Sequence, residues 1–222
     1  PVPGWRGADD PRSAITLDQA LRMSSGLAFE EVYDDFTSDV VRMLMLSYDA
    51  GALAARNPLE AEPGAKWHYS SGTTNLISRS LRQVMADDQA YWRLPYERLF
   101  VPVGMHSAVL ETDPSGTFIG SSYSYATGGD WARFGLLYLN DGVWNGRRIL
   151  PEGWVEYGVT PTAGAPEQEY GAHWWLNAGG RFQGVPRDEF RASGYDGQYV
   201  MVIPSRRAVI VRLGQTPGDG FD

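Results

Sequence analysis

The densest run of groups that could do chemistry is Trp67-His68-Tyr69-Ser70-Ser71-Gly72-Thr73-Thr74-Asn75-Leu76. It follows a Pro63-Gly64 turn and leads into Leu76, Ile77, Leu81, Val84 and Met85, whose spacing predicts a buried helix over roughly residues 72–86. A phenol and two serine hydroxyls therefore stand at a helix entrance. Free backbone N–H groups and the positive end of the helix dipole favour an oxygen there that carries or develops negative charge. One reading is local: Ser70, Ser71 or Thr73 caps the helix. The other gives this entrance a functional role. It draws on a second polar stretch, Ala192-Ser193-Gly194-Tyr195-Asp196-Gly197-Gln198, where a hydroxyl sits beside a glycine with no Cβ to keep a ligand off the backbone. On this reading the two stretches face one another across a common cavity.

Much other chemistry is excluded. The chain has no cysteine, so disulfides, thiolate metal sites and cysteine nucleophiles are ruled out. His68, His106 and His173 never fall at metal-ligand spacing, and neither a metal nor a cofactor is expected. Each histidine fits a structural role better than a catalytic one, with His68 of interest for its place beside Tyr69. No G-x-S-x-G elbow, P-loop or G-x-G-x-x-G fingerprint occurs. The net charge of −8 is spread along the chain, which argues against nucleic acid as a partner. Lys66 is the only lysine. Val40 to Leu46 is interrupted by Arg42 and too short to span a bilayer. Pro1-Val2-Pro3-Gly4-Trp5 lacks the basic start and apolar core of a signal peptide. A start without methionine and an end at Gly220-Phe221-Asp222 read as the middle of something longer.

An apolar content of 43%, with 13% aromatic residues, is ample for a core. After a Pro, Gly and Asp-rich entry over residues 1–14, Thr16 precedes a helix closed by Ser24-Ser25-Gly26. Ser38 or Asp39 caps the next helix, and further helices follow through residue 100. From Pro102 the pattern changes. Ser107 to Glu111 and Thr117 to Ile119 read as strands around an Asp113-Pro114-Ser115-Gly116 turn. Thr127-Gly128-Gly129-Asp130 opens a helix with the apolar face Trp131, Phe134, Leu137 and Tyr138, stopped by Asn140-Asp141-Gly142. Pro151 sits in the first turn of another. Tyr170 to Leu176, Gln198 to Ile203 and Ala208 to Leu213 read as strands, the last two an apolar hairpin covered on both faces. The fold class expected is α+β, a layered α/β/α arrangement with an antiparallel sheet flanked by helices. It is read as one domain over 1–222, mostly helical over 1–106 and mixed over 107–222.

In order along the chain, Leu21-Arg22-Met23-Ser24-Ser25-Gly26-Leu27, Pro63-Gly64 with Trp67-His68-Tyr69-Ser70-Ser71, Gly128-Gly129-Asp130-Trp131-Ala132-Arg133-Phe134-Gly135, Asn140-Asp141-Gly142 to Leu150, and Gly194-Tyr195-Asp196-Gly197-Gln198 with Val202-Ile203-Pro204 resemble the penicillin-recognising serine hydrolases. That superfamily includes class C β-lactamases, DD-carboxypeptidases, esterases and 6-aminohexanoate-oligomer hydrolases. The resemblance implies a β-lactamase/transpeptidase-like fold, incomplete here, and three active-site elements. The Y-x-N element maps onto Tyr69-Ser70-Ser71, with serine in place of asparagine. The K-T-G element maps onto Ala192-Ser193-Gly194, its lysine lost, with Tyr195-Asp196-Gly197 as the alternative register. The S-x-x-K element, which holds the nucleophile, is missing: proline stands three residues before Lys66, and the family order puts the element upstream of Pro1.

The resemblance implies that Tyr69 relays protons and that the backbone N–H of Tyr195 is an oxyanion donor. Ser71, Ser193 and Gly194 would contact substrate. Tyr123, Tyr125, Trp174, Trp175 and Tyr195 are candidate linings of an aromatic cleft, with core packing as the alternative, the better fit for either tryptophan taken alone. The substrate expected is a small ester, amide or peptide. Loss of the K-T-G lysine weakens the case for a β-lactam. The alternative is an inactive member that binds peptide or peptidoglycan-like ligands.

Overall fold

A computed structural model describes Trp5 and residues 9–216. The Pro-rich start over residues 1–4 and the end at 220–222 lie outside the described residues. The main helices are α1 (Leu17–Leu21), α2 (Asp39–Val41), α3 (Ala50–Ala54), α4 (Ser71–Met85), α5 (Asp88–Pro95), α6 (Val101–Val103), α7 (Gly128–Leu139) and α8 (Trp154–Val159). The strands are β1 (Val109–Leu110), β2 (Ser124–Tyr125), β3 (Val143–Trp144), β4 (Arg147–Arg148), β5 (Trp175–Leu176), β6 (Phe190–Gly194), β7 (Gln198–Ile203) and β8 (Ala208–Arg212). The chain divides into two compact units, residues 1–92 with 110–124 and residues 93–109 with 125–222.

The first unit is built on α4. Ser70 is extended, and its hydroxyl accepts from the Thr73 N–H at 3.1 Å, supplying one of the donors that a helix start leaves unpaired. Ala86 closes the other end in the left-handed conformation. Small residues let neighbours approach closely: a Cβ on Gly72 would lie 2.5 Å from the Phe29 ring. Phe29, Val40, Val41, Met43, Ala50 and Ile119 form one apolar cluster, and Trp5, Leu27, Ala54 and Leu76 another.

Two of the sequence motifs clasp each other in this unit. The Gly64 N–H donates to the Ser24 carbonyl, the His68 N–H to the Met23 carbonyl and the Glu60 N–H to the Gly26 carbonyl, each at 2.8 Å. Ser25 and Thr73 share a hydroxyl–hydroxyl bond of 3.1 Å. Gly26 is therefore not the cap of α1, as the sequence suggested. The helix ends at Leu21, Met23 takes the positive φ that follows it, and Gly26 serves a close approach in which a Cβ would meet the Ala61 carbonyl oxygen at 2.3 Å. The expected strands around Asp113 are shorter than predicted. The Asp113 carboxylate instead gathers the Ser115 and Thr117 N–H groups, the Ser115 hydroxyl and the Ala50 N–H, which makes the segment a polar turn with a single Thr112–Phe118 bridge.

The second unit holds an antiparallel sheet in the order β5-β6-β7-β8, with Ala192 opposite Val200 and Gly194 opposite Gln198. Helix α7 packs on one face, where a Cβ on Gly135 would come within 2.5 Å of a Val209 methyl. Thr127 caps α7 by accepting from the Asp130 N–H. Trp174, Leu176, Phe190 and Val202 form the core between helix and sheet, joined by Phe134, Tyr138, Ala192 and Val209. Because strand side chains alternate, Phe190 and Ala192 point into this core while Arg191 and Ser193 point to the other face.

Three expectations change in this unit. The strand predicted from Tyr170 shrinks to Trp175–Leu176 because His173 adopts φ 62°. Pro151 precedes α8 rather than opening it, the N-cap being Gly153 at φ 77°. Strand β8 is an edge of the described sheet and Ile210 is half exposed, so the hairpin is not covered on both faces among the described residues.

Beside the sheet, a buried polar knot fixes residues 177–191. Arg191 donates to the Glu189 carboxylate at 2.7 Å and lies 4.3 Å above the Phe182 ring centroid. Asn177 donates to the carbonyls of Phe182, Val185 and Pro186. Burial pushes the Glu189 carboxyl up, and the Arg191 charge opposes that shift. Removing one member of such a pair strands the other charge, so Arg191→Met is expected to lower stability by about 3–5 kcal/mol, read as a reduced denaturant midpoint.

Candidate functional site

Tyr69 lies in the extended link that enters α4, partly buried, with Ser70 and Ser71 directly after it. The two serines have different tasks. Ser70 is the helix cap, whereas Ser71 is turned to a carboxylate that sequence reasoning had given no role, that of Glu31. The Ser71 N–H donates to Glu31 Oε2 at 2.9 Å and the Ser71 hydroxyl donates to Glu31 Oε1 at 2.5 Å. The Tyr33 hydroxyl donates to the same Oε1 at 3.0 Å. A negative group thus sits at the first turn of a fifteen-residue helix, where the dipole stabilises it.

The loop that brings Glu31 here is itself tied down. The Ala28 N–H donates to the Pro58 carbonyl, the Val40 N–H to the Glu30 carbonyl, and the Glu30 N–H to Asp39. Asn57 bridges the Ala28 carbonyl and Asp39. The electrostatics follow from this placement. Burial first, and then the Glu31 charge, push the Tyr69 phenol up to about 12. Tyr33 is raised by the same two causes in the same order, with a hydrogen bond from Ser71 acting the other way. Tyr69 is therefore a neutral phenol at ordinary pH in this chain. Lys66 donates to Glu60 at 2.8 Å, and His68 Nδ1 lies at 2.8 Å from the same oxygen. The chain's one ammonium is thus engaged by Glu60, whose carboxyl is held below its usual range first by Lys66.

Apart from Tyr123, the remaining predicted residues belong to the second unit. Ser193 and Gly194 end β6, and the Tyr195-Asp196-Gly197 turn follows, with Asp196 and Gly197 at positive φ. Ser193 and Tyr195 are exposed. A Cβ on Gly194 would press on the Gln198 Cβ at 3.1 Å, so the glycine also serves the hairpin. Tyr125 is exposed on β2. Trp174 takes the core-packing alternative. It is 5% exposed, stacked on Phe134 with ring centroids 6.0 Å apart and edge-on to Phe190, so its indole packs the core and is not available to line a cleft. Trp175 packs edge-on against Tyr170. Tyr123, in the first unit, packs on the Phe29 cluster. Among the described residues no group of three or more metal-ligating side chains comes together, and no helix is long and apolar enough to cross a membrane.

With that geometry in place, comparison with known proteins gives the family. The Beta-lactamase family description matches residues 1–222. The chain belongs to the beta-lactamase family. It is similar to a 6-aminohexanoate-dimer hydrolase of Paenarthrobacter ureafaciens, 28% identical over 170 residues, covering 68% of this chain and 40% of that protein. Among solved structures it resembles a candidate 6-aminohexanoate-dimer hydrolase from Bacillus anthracis, with TM-score 0.74 and 23% identity over 92% of this chain and 56% of the other. A penicillin-binding protein from Bacillus halodurans aligns with TM-score 0.67 and 19% identity over 89% of this chain and 68% of the other. These likenesses carry the β-lactamase/penicillin-binding-protein fold, with its helices and antiparallel sheet. The chain spans about half the length of the first two of these relatives.

The division of labour at the α4 entrance is open to a direct test. Ser70→Ala is expected to cost about 1 kcal/mol of stability through loss of the cap, measured by denaturant unfolding. The hydrogen bonds between Ser71 and Glu31 do not involve that hydroxyl.

Proposed function

We propose that this beta-lactamase-family chain forms part of a serine hydrolase that cleaves small esters, amides or peptides through an acyl-enzyme. The nucleophilic serine and its lysine partner lie on an S-x-x-K segment outside residues 1–222. The observation that supports this reading is the tyrosine at the entrance of α4, in a Tyr69-Ser70-Ser71 segment held in a fixed conformation by a cap, a carboxylate and the clasp to the Met23-to-Gly26 turn.

The chemistry runs as follows. A serine Oγ attacks the substrate carbonyl as its proton passes to a base, and the carbonyl oxygen becomes an oxyanion. That oxyanion collapses as the leaving group departs with a proton. Water then repeats the sequence on the acyl-serine and releases the acid. Tyr69 is assigned the proton relay between nucleophile and leaving group. To act as a base its phenol needs a nearby cation, since burial and Glu31 both oppose ionisation. Lys66 is bound to Glu60, so the cation assigned is the S-x-x-K lysine. The Tyr195 N–H is assigned as one oxyanion donor, the nucleophile's own N–H as the other.

Substrate charge follows from the K-T-G position. Ala192 packs toward α7, and Arg191, the nearest cation in sequence, is bound to Glu189. Neither offers a free positive charge to a substrate carboxylate, which favours neutral esters and amides over β-lactams. The second reading, a binding protein without catalysis, rests on the serine in place of asparagine at Ser71 and on the missing lysine.

The full-length protein is expected to hydrolyse p-nitrophenyl esters of short acids and to be labelled by a fluorophosphonate. Tyr69→Phe should slow ester turnover by roughly 10²- to 10⁴-fold. Unchanged turnover in that variant would remove Tyr69 from the mechanism, and a wild-type protein that is neither labelled nor active would favour the binding reading.

A further inference from the structure

We infer that Glu31 is a positioning residue of the proposed site: its carboxylate joins Tyr33 to Ser71 at the first turn of α4 and fixes a negative charge beside Tyr69. The inference rests on the assignment of Tyr69 as proton carrier and adds the residue that holds and tunes it. Three donors converge on the one carboxylate, the Ser71 N–H at 2.9 Å, the Ser71 hydroxyl at 2.5 Å and the Tyr33 hydroxyl at 3.0 Å. Two of them come from one residue, so the carboxylate grips Ser71 through both oxygens and fixes its rotamer as well as its place. Glu31 sits on a loop pinned on both sides, by Ala28 to Pro58 and by Glu30 to Val40 and Asp39. The grip therefore transmits the position of that loop to the residue two after Tyr69.

This arrangement changes what the third position of Tyr69-Ser70-Ser71 does. A serine there has one proton to donate, and here it goes to Glu31. Ser71 thus does not act as a hydroxyl donor to substrate, as the motif alone suggested, but as the link between Glu31 and the helix. Glu31 raises the Tyr69 phenol, and Tyr69 in turn bears on Tyr33 of the same loop. The chain neighbours His68 and Lys66 both turn to Glu60. Burial opposes phenolate formation most, and the Glu31 charge acts in the same direction.

Two substitutions in the full-length protein separate charge from geometry. Glu31→Gln keeps the shape and removes the charge. Glu31→Asp keeps the charge and withdraws it by one methylene. Tyr69 is followed by carbon-13 NMR of labelled tyrosine, its signal assigned with Tyr69→Phe, and ester turnover is followed against pH. In Glu31→Gln the Tyr69 titration is expected to fall by about one pH unit, because the phenolate no longer faces a fixed negative charge, and the alkaline side of the kcat profile should move the same way. In Glu31→Asp the titration should stay high while kcat drops about 10- to 100-fold with little change in KM, as displacement of a reacting group predicts. A Tyr69 titration unmoved by Glu31→Gln overturns the inference, as does full turnover in both variants. The titration reads Glu31 without any turnover, so an inactive wild-type protein would count against the proposed hydrolase and leave this test standing.

Discussion

The structure of the first unit depends on how the free N–H groups at the start of α4 are paired. A helix start leaves four such donors, and burying them without partners is costly. Here the Thr73 N–H goes to the Ser70 hydroxyl and the Ser71 N–H to the Glu31 carboxylate. Because the second partner comes from a separate loop, pairing one helix end also fixes the fold of residues 28–40. The clasp of Met23, Ser24 and Gly26 with His68, Gly64 and Glu60 does the same for the approach to Tyr69. The phenol is thus the product of two tied loops meeting at one helix entrance, and little in its own conformation is left free.

In the second unit the equivalent constraint is strand alternation along β6. Phe190 and Ala192 face the α7 core, which obliges Arg191 and Ser193 to face the other way. An arginine turned out of the core but still covered needs a counter-charge, and Glu189, two residues earlier on the same face, supplies it. The knot around Asn177 then closes the loop between β5 and β6. A short, well-registered hairpin follows, with Gly194 pressed against Gln198.

Where structure is set locally, the residues announced it. The caps at Thr16, Ser38, Ser70 and Thr127, the α4 helix, strand β7 and most of β8 were readable because hydroxyls, glycines and apolar spacing act within a few positions. The α+β class and the family were readable for the same reason, as motifs in a fixed order. What escaped was long-range. Nothing near Glu31 signals that it meets Ser71, a residue 40 positions away, because Glu30-Glu31-Val32-Tyr33-Asp34-Asp35 reads as a solvated acidic loop. Trp174 could be read for a cleft or for the core, because a tryptophan's place in the sequence carries no mark of which face it will take. The break at His173 is a single backbone angle, invisible to any periodicity.

The electrostatic consequence for Tyr69 is a question of sign. Placing a carboxylate near a phenol stabilises its neutral form, which is a proton donor, and opposes its ionised form, which is a proton acceptor. A relay that must do both in turn needs a positive charge that arrives with the reaction or stands permanently opposite the carboxylate. The one lysine of this chain does not meet that need, because Glu60 engages it together with His68. Under the assignment proposed for Tyr69, the complement of Glu31 would be the lysine of the proposed S-x-x-K segment. On that proposal the phenol would sit between a fixed negative and a fixed positive group, its acidity set by the difference between them.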